Sequence, residues 1–295
     1  MAVAFLTIVD VFAERAYAGN PLAVVVMDEA LSEEAMQRVA SEMNFSETAF
    51  VRPTSDPDEG HHVRIFTPAR EIAFAGHPIL GAAWVVRHHV AAGNAGTVRL
   101  DLAVGQVQVS FERSGEAGEV AWFLAPPITL GPTCARERIA PALGLAPDEI
   151  DHRFPVQELA AGTAAMIVPL RTLESLRRCR LDLAAYAPLA SDGFPPLVYL
   201  FCAETHERGN DLCARFFFEA HGVREDPATG NGAAFLGAYL LEHGYFPSAE
   251  LRLRIEQGHE VGRPSLVRLR ARTAGGGREI HVGGKVIPIV RGELL

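Results

Sequence analysis

VRIFTPAREIAFAGHP at residues 63–78 and ARFFFEAHGVREDPATGNG at residues 214–232 are two versions of one pattern. Sliding the chain on itself by 154 residues lays Arg70-Glu71 on Arg224-Glu225, Gly76 on Gly230 and, further on, His89 on His243. Upstream, Arg64-Ile65-Phe66 echoes Arg215-Phe216-Phe217 after a small gap. Each copy holds an apolar strand, a polar turn ending in glycine, and an Ala- and Leu-rich helix. Such a period means that one supersecondary arrangement is built twice. The length of 295 residues exceeds one typical domain and independently favours two compact lobes, each able to bury a core.

Outward from these two turns, the first half reads as strands at 4–12 and 22–27, joined by the turn-rich AERAYAGNP. Ser32 is a predicted N-cap, with Glu33 and Glu34 in the first turn and Ala35, Met36, Val39, Ala40 and Met43 at helical spacing. Strands follow at 48–52 and 63–66, a helix at about 77–89, then alternating strands at 97–102, 106–111 and 120–123. Pro126, Pro127 and the following GPTCARER read as a linker, because proline fixes the backbone and removes a ladder donor. The second half repeats the style, with strands at 156–159, 165–168, 197–201 and 212–218, a helix at 230–243, and strands at 251–255, 266–271, 278–282 and 286–290. Helices and strands mix without regular βαβ alternation, which places the chain in the α+β class.

Composition excludes several function classes. Hydrophobic residues at 48% and charged residues at 21% describe a globular chain rather than a disordered one. The net charge of -9, with Lys and Arg scattered, offers no basic footprint for nucleic acid. No segment approaches the roughly 18 apolar residues of a membrane span, and the N-terminus lacks the basic region of a signal peptide. Cys134, Cys179, Cys202 and Cys213 show no CxxC spacing, so reduced thiols and a cytoplasmic location are expected. The doublets His61-His62 and His88-His89 sit in no metal-binding motif, and no metal is expected.

The turns FAGHP (74–78) and ATGNG (228–232) both end where a helix begins. A first helical turn carries unpaired N–H groups and the positive dipole end, and glycine admits close ligand approach. Two such turns facing each other would hold a carboxylate and stabilise an enolate-like intermediate. Either turn alone reads more simply as an ordinary glycine loop. Gly230-Asn231-Gly232 is not a dinucleotide fingerprint, since Phe235 replaces the third glycine and Pro227 interrupts the approach. Glu47 lies in NFSETAFV between Phe45 and Phe50, and apolar surroundings would suit it to proton transfer near neutral pH. It reads equally as a surface or capping glutamate, and Asp226 and His77 are similarly ambiguous in isolation.

VDVFAERAYAGNPLAVV, NFSETAFV, VRIFTPAREIAFAGHPILGAA, EDPATGNGAAFLGAYL, EQGHEVGRPS and HVGGKVIPIVRGEL together resemble the PhzF-like (phenazine biosynthesis) family, within the diaminopimelate-epimerase-like fold. The likeness covers both ends of the chain and is weakest around residues 113–155. It implies two pseudo-symmetric lobes, each a curved sheet or barrel around a central helix, with the active site in the cleft between them. The lobes would be 1–126 with a returning strand in 281–295, and 127–280. By motif position, the resemblance implies that Glu47 is the catalytic acid/base, and that His77, Gly76, Asp226 and Gly230 bind and polarise the substrate. Thr229 and Asn231, in the second turn, join them as substrate-binding candidates.

Epimerases of that fold use one cysteine in each half; Ala75 and Thr229 stand at those positions here. The resemblance therefore implies a cofactor-independent, one-base isomerase that moves a proton on a small carboxylate-bearing substrate like trans-2,3-dihydro-3-hydroxyanthranilate, in a homodimer. Another epimerase, racemase or lyase on the same fold is the rival enzyme, and a non-catalytic small-molecule-binding protein is the rival from another class. The joint presence of Glu47, His77 and Asp226 favours catalysis, because a scaffold requires none of them.

Overall fold

The computed structural model describes residues 4–29, 31–56, 59–90, 96–113, 118–218 and 223–294. The chain divides into two units, Met1–Leu124 with Gly283–Leu295, and Ala125–Val282.

In the first unit β1 (Ala4–Val11) pairs antiparallel with β2 (Asn20–Met27). Helix α1 (Glu33–Met43) then crosses over to β3 (Thr48–Arg52), which runs parallel to β2, a pairing that needs such a connection. Its ends are set locally. Ser32 Oγ accepts from the Ala35 N–H at 3.2 Å, as its sequence predicts, and Asn44 adopts a left-handed conformation (φ 52°) while its N–H reaches the Ala40 carbonyl. Strands β4 (His61–Phe66) and β5 (Glu71–Ile72) continue antiparallel from β3. Helix α2 (Gly76–Val85) leads to β6 (Thr97–Leu102), which is parallel to β4, and β7 (Gly105–Arg113) and β8 (Glu119–Leu124) follow antiparallel. Helix α2 is α-helical to Val85 and continues as a π-helical turn, Val86–Val90, so the helical backbone runs through His89 as its sequence predicts.

The second unit begins with β9 (Thr129–Cys134) and a short helix α3 (Arg136–Ile139), where the sequence predicted a linker. Strand β9 pairs antiparallel with β10 (Val156–Ala161), and the pairing skips Gly131 and Pro132 opposite Glu158. A bulge is where a strand tolerates proline, which is why the linker reading fails. Strand β11 (Thr163–Pro169) follows antiparallel. Two helices absent from the sequence reading, α4 (Leu173–Arg178) and α5 (Leu183–Ser191), then lead to β12 (Val198–Cys202), parallel to β11. Strands β13 (Leu212–Phe218) and β14 (Val223–Asp226) continue antiparallel. Helix α6 (Gly230–Glu242) leads to β15 (Glu250–Gln257), parallel to β13, with β16 (Ser265–Ala274) antiparallel to β15. After β17 (Gly277–Gly284), the final strand β18 (Val286–Glu293) pairs antiparallel with β1.

The two series of pairings are the same. From β1 to β7 and from β10 to β16, the order is antiparallel, parallel through a helical crossover, antiparallel twice, parallel around one long helix, and antiparallel. The repeat seen in sequence is a repeat of topology. Each central helix is apolar nearly all round and accordingly buried: α2 packs on β1, β2, β3, β6 and β8, and α6 on β10, β11 and β16. Close approach is built in, since a Cβ on Gly81 of α2 would lie 2.4 Å from Leu22 Cδ2.

One ion pair occurs in both copies, in different surroundings. Arg64 of β4 grips Glu71 of β5 through Nε and Nη2 at 2.7 and 2.6 Å, with both side chains about one-third exposed. At the repeated positions Arg215 of β13 grips Glu225 of β14 at 2.9 and 2.7 Å, with side chains only 5% and 4% exposed. The spare Nη1 of Arg215 donates to the carbonyls of Leu176, Arg177 and Cys179, satisfying the end of α4. Breaking the two pairs should therefore differ in effect. Glu225→Gln removes the bidentate partner of a buried guanidinium, leaving only Glu260 at 4.0 Å, and should cost about 3–5 kcal/mol, whereas Glu71→Gln should cost about 0–1 kcal/mol. Urea denaturation of both variants checks this, and equal losses would contradict the reading.

Candidate active site

The first-unit residues meet where β2, the end of α1 and the start of α2 come together. Glu47 sits between the Asn44 cap and β3, a position that places its carboxyl inward with 14% side-chain exposure. His77 is the second residue of α2, and its side chain is 4% exposed. Its Nε2 lies 3.5 Å from Glu47 Oε2, and its Nδ1 lies 3.3 Å from the side-chain amide nitrogen of Asn20, the first residue of β2. Burial lowers the His77 pKa to about 3, so the ring is neutral at ordinary pH. Gly76 opens α2, and its N-cap residue Ala75 has no side chain able to cap.

The second-unit residues form another buried cluster. Asp226 ends β14, and the Thr229 hydroxyl donates to its Oδ2. Thr229 is the N-cap position of α6, yet its oxygen is turned to Asp226 and caps no helical N–H. Gln257, fully buried at the end of β15, ties the turn: its Nε2 donates to the Asp226 carbonyl at 2.8 Å and to Thr229 Oγ1 at 3.1 Å, and its Oε1 accepts from the Thr229 N–H at 3.3 Å. Gly258 follows at φ 79°, and a Cβ there would lie 2.4 Å from the Pro227 carbonyl oxygen. Gly230 opens α6, and Asn231 beside it is half-buried. The structure thus joins Glu47 with His77, and Asp226 with Thr229, each within its own unit.

The model of the phenazine biosynthesis-like protein family matches residues 9–292. The chain belongs to the phenazine biosynthesis-like family. It is similar to an uncharacterized isomerase of Mesorhizobium japonicum, 36% identical over 97% of this chain and 96% of that one. It is also similar to trans-2,3-dihydro-3-hydroxyanthranilate isomerase of Pseudomonas aeruginosa, 35% identical over 91% of this chain and 90% of that one. A PhzF-family phenazine biosynthesis protein of Bacillus anthracis has the same fold, with a TM-score of 0.89 at 23% identity and full coverage of both chains. A probable proline racemase of Agrobacterium radiobacter shares it more distantly, with a TM-score of 0.64 at 10% identity over 99% of this chain and 93% of that one. The fold is diaminopimelate-epimerase-like, and this PhzF-like chain is an isomerase.

Two polar residues of this PhzF-like chain escaped the sequence reading. Asn20 touches a candidate residue 57 positions away along the chain, and Gln257 touches two, 28 and 31 positions away. The one available signal was a carboxamide at a strand end beside a glycine, in AGNP and EQG. The four cysteines are free and buried, and burial raises every thiol pKa, to about 12 for Cys179 and Cys202. Among the described residues, His206, Cys213 and Glu256 bring ligand-type atoms within 4.8 Å of one another. Glu256 is already engaged by the N–H groups of His206 and Glu207 at 2.7 and 2.8 Å and by Asn210 Nδ2 at 2.6 Å, so its carboxylate anchors that loop. No helix among the described residues is long and apolar enough to cross a membrane.

Neutral burial of His77 makes stability depend on pH with a definite sign. Between the folded pKa of about 3 and the ordinary histidine value of about 6.5, the unfolded chain takes up a proton that the folded one refuses. The stability so gained is complete above the unfolded pKa and declines as pH falls, by up to about 1.4 kcal/mol per pH unit. His77→Gln should flatten that acid limb in denaturation midpoints measured between about pH 7 and pH 4. An unchanged slope would mean that His77 is protonated in the fold.

Proposed function

We propose that this PhzF-like isomerase moves one proton between two carbons of a small carboxylate-bearing cyclic dienol acid, of the trans-2,3-dihydro-3-hydroxyanthranilate type, with Glu47 as the sole carrier. The observation that supports this is the pairing of a largely buried carboxyl with a neutral imidazole at 3.5 Å. Glu47 takes a proton as the C–H bond breaks; the electron pair spreads over the conjugated system and substrate carboxylate, and the same proton forms the new C–H bond at another carbon. His77 acts on the substrate through the Glu47 carboxyl that it faces, and Asp226 orients and polarises the substrate. Thr229, Asn231 and the backbone at Gly76 and Gly230 bind its polar groups. Electrons and protons balance without a cofactor. Raised thiol pKa values at buried positions weigh against a cysteine base.

Glu47→Gln preserves shape while removing the proton acceptor, so it should retain ligand binding and lose about 10²- to 10⁴-fold in turnover. In a single turnover of substrate deuterated at the donor carbon, part of the label should reach the acceptor carbon. Full turnover by Glu47→Gln would defeat the assignment of the carrier, and rapid conversion with no label in the product would defeat direct return.

We further propose that the protein works in the cytoplasm as a homodimer, consistent with four reduced cysteines. Sedimentation should show a species of roughly twice 31.8 kDa. A monomer at all concentrations would reject the dimer.

A further inference from the structure

The geometry points to Asn20 as the residue that sets which nitrogen of His77 carries its proton, and so makes His77 a donor towards Glu47 rather than a second base. This rests on the carrier role of Glu47 for its catalytic meaning, but the tautomer itself can be read without substrate.

The assignment follows from matching donors to acceptors at both ends of one ring. Asn20 Nδ2 lies 3.3 Å from His77 Nδ1, and an amide N–H can only donate, so Nδ1 must accept. A neutral imidazole whose Nδ1 accepts carries its hydrogen on Nε2. That nitrogen faces Glu47 Oε2 at 3.5 Å, an approach that is not a hydrogen bond in this structure but sets an N–H against an acceptor when the carboxyl is ionised. The opposite tautomer would set an Nδ1–H against the amide N–H and an Nε2 lone pair against the carboxylate. Both mismatches would be buried, since Asn20 is 0% and His77 3% exposed, and buried mismatches are expensive.

The backbone holds Asn20 in place for this role. Gly19 before it has φ 71°, and a Cβ there would lie 2.3 Å from the Val11 carbonyl oxygen. Asn20 itself opens the β2 ladder opposite Val11. Its amide therefore faces α2 from a fixed strand end. The chemical consequence is a division of labour between two titratable neighbours. With Nε2 protonated and Nδ1 occupied, His77 has no free lone pair for a substrate proton. Glu47 alone can accept one, and its remaining oxygen can still receive the Nε2–H once the carboxyl is protonated. Asn20 acts through His77 and is a positioning residue.

Two-bond ¹H–¹⁵N correlation spectra of histidine-labelled full-length protein at neutral pH test this, with the His77 signals assigned by their loss in His77→Gln. The expected pattern is a neutral ring protonated at Nε2. A ring protonated at Nδ1, or an imidazolium, would overturn the inference. In Asn20→Asp a carboxylate that can only accept should draw the hydrogen to Nδ1. If that variant folds and its His77 signals remain those of the wild type, Asn20 does not set the tautomer; if it does not fold, the wild-type spectrum decides alone. On a substrate that the wild type turns over, Asn20→Asp should lower kcat by about 10²- to 10⁴-fold with KM little changed, and an unaltered kcat would overturn the catalytic part. The two readings fail separately. An Nε2-protonated ring with full activity in Glu47→Gln would retire the carrier and keep the tautomer, whereas an Nδ1-protonated ring would do the reverse.

Discussion

A helix buried on every side must still begin somewhere, and its first N–H groups cannot be left dry. This constraint shapes both units. Helices α2 and α6 are so apolar that their flanks pack on sheet and core, which leaves their N-terminal turns as polar points within each unit, alongside buried joints such as Arg215–Glu225. Neither start carries a side-chain cap. Around the second start Thr229, Asp226 and Gln257 satisfy one another through hydrogen bonds, whereas around the first Asn20 reaches His77 Nδ1 and His77 Nε2 approaches Glu47 Oε2 to 3.5 Å without a hydrogen bond between them.

Repetition of topology did not preserve the repeated surroundings. The Arg64–Glu71 pair lies open on the first unit, with Glu33 of α1 as a further partner of Arg64. In the second unit α4 and α5 occupy the crossover that α1 alone makes in the first, and Arg215 is drawn beneath the end of α4. An exposed charge pair has thereby become a buried structural joint. Such a joint adds little net stability over an apolar substitute, but it is intolerant of losing one partner.

Much of the fold was legible because it rests on local physics. The Ser32 cap, the alternation in β6 to β8 and the two glycine turns each announce an element from nearby residues alone. Helices α4 and α5 were missed although Thr172 and Asp182 cap them, because they are too short for a period to emerge and Pro188 lies inside the second. Strand β9 was hidden by a glycine and a proline that only the bulge opposite Glu158 explains. In the candidate site the charged and glycine positions were legible through motif likeness. Asn20 and Gln257 were not, because a carboxamide has no signature apart from the partner it reaches across the fold.

The value of a neutral His77 follows from what a charged one would do. An imidazolium 3.5 Å from Glu47 would form an ion pair, holding the carboxylate ionised and weakening it as a proton acceptor. Complete burial removes that charge, leaving a dipole in place of an ion. A dipole with its N–H towards Glu47 can orient the carboxylate before transfer and the carboxyl after it, without strongly favouring either state. A carrier that takes and returns the same proton, the role proposed for Glu47, needs that near balance. Burial of the ring and the amide of Asn20 supply it together, the first by fixing the charge and the second by fixing the direction.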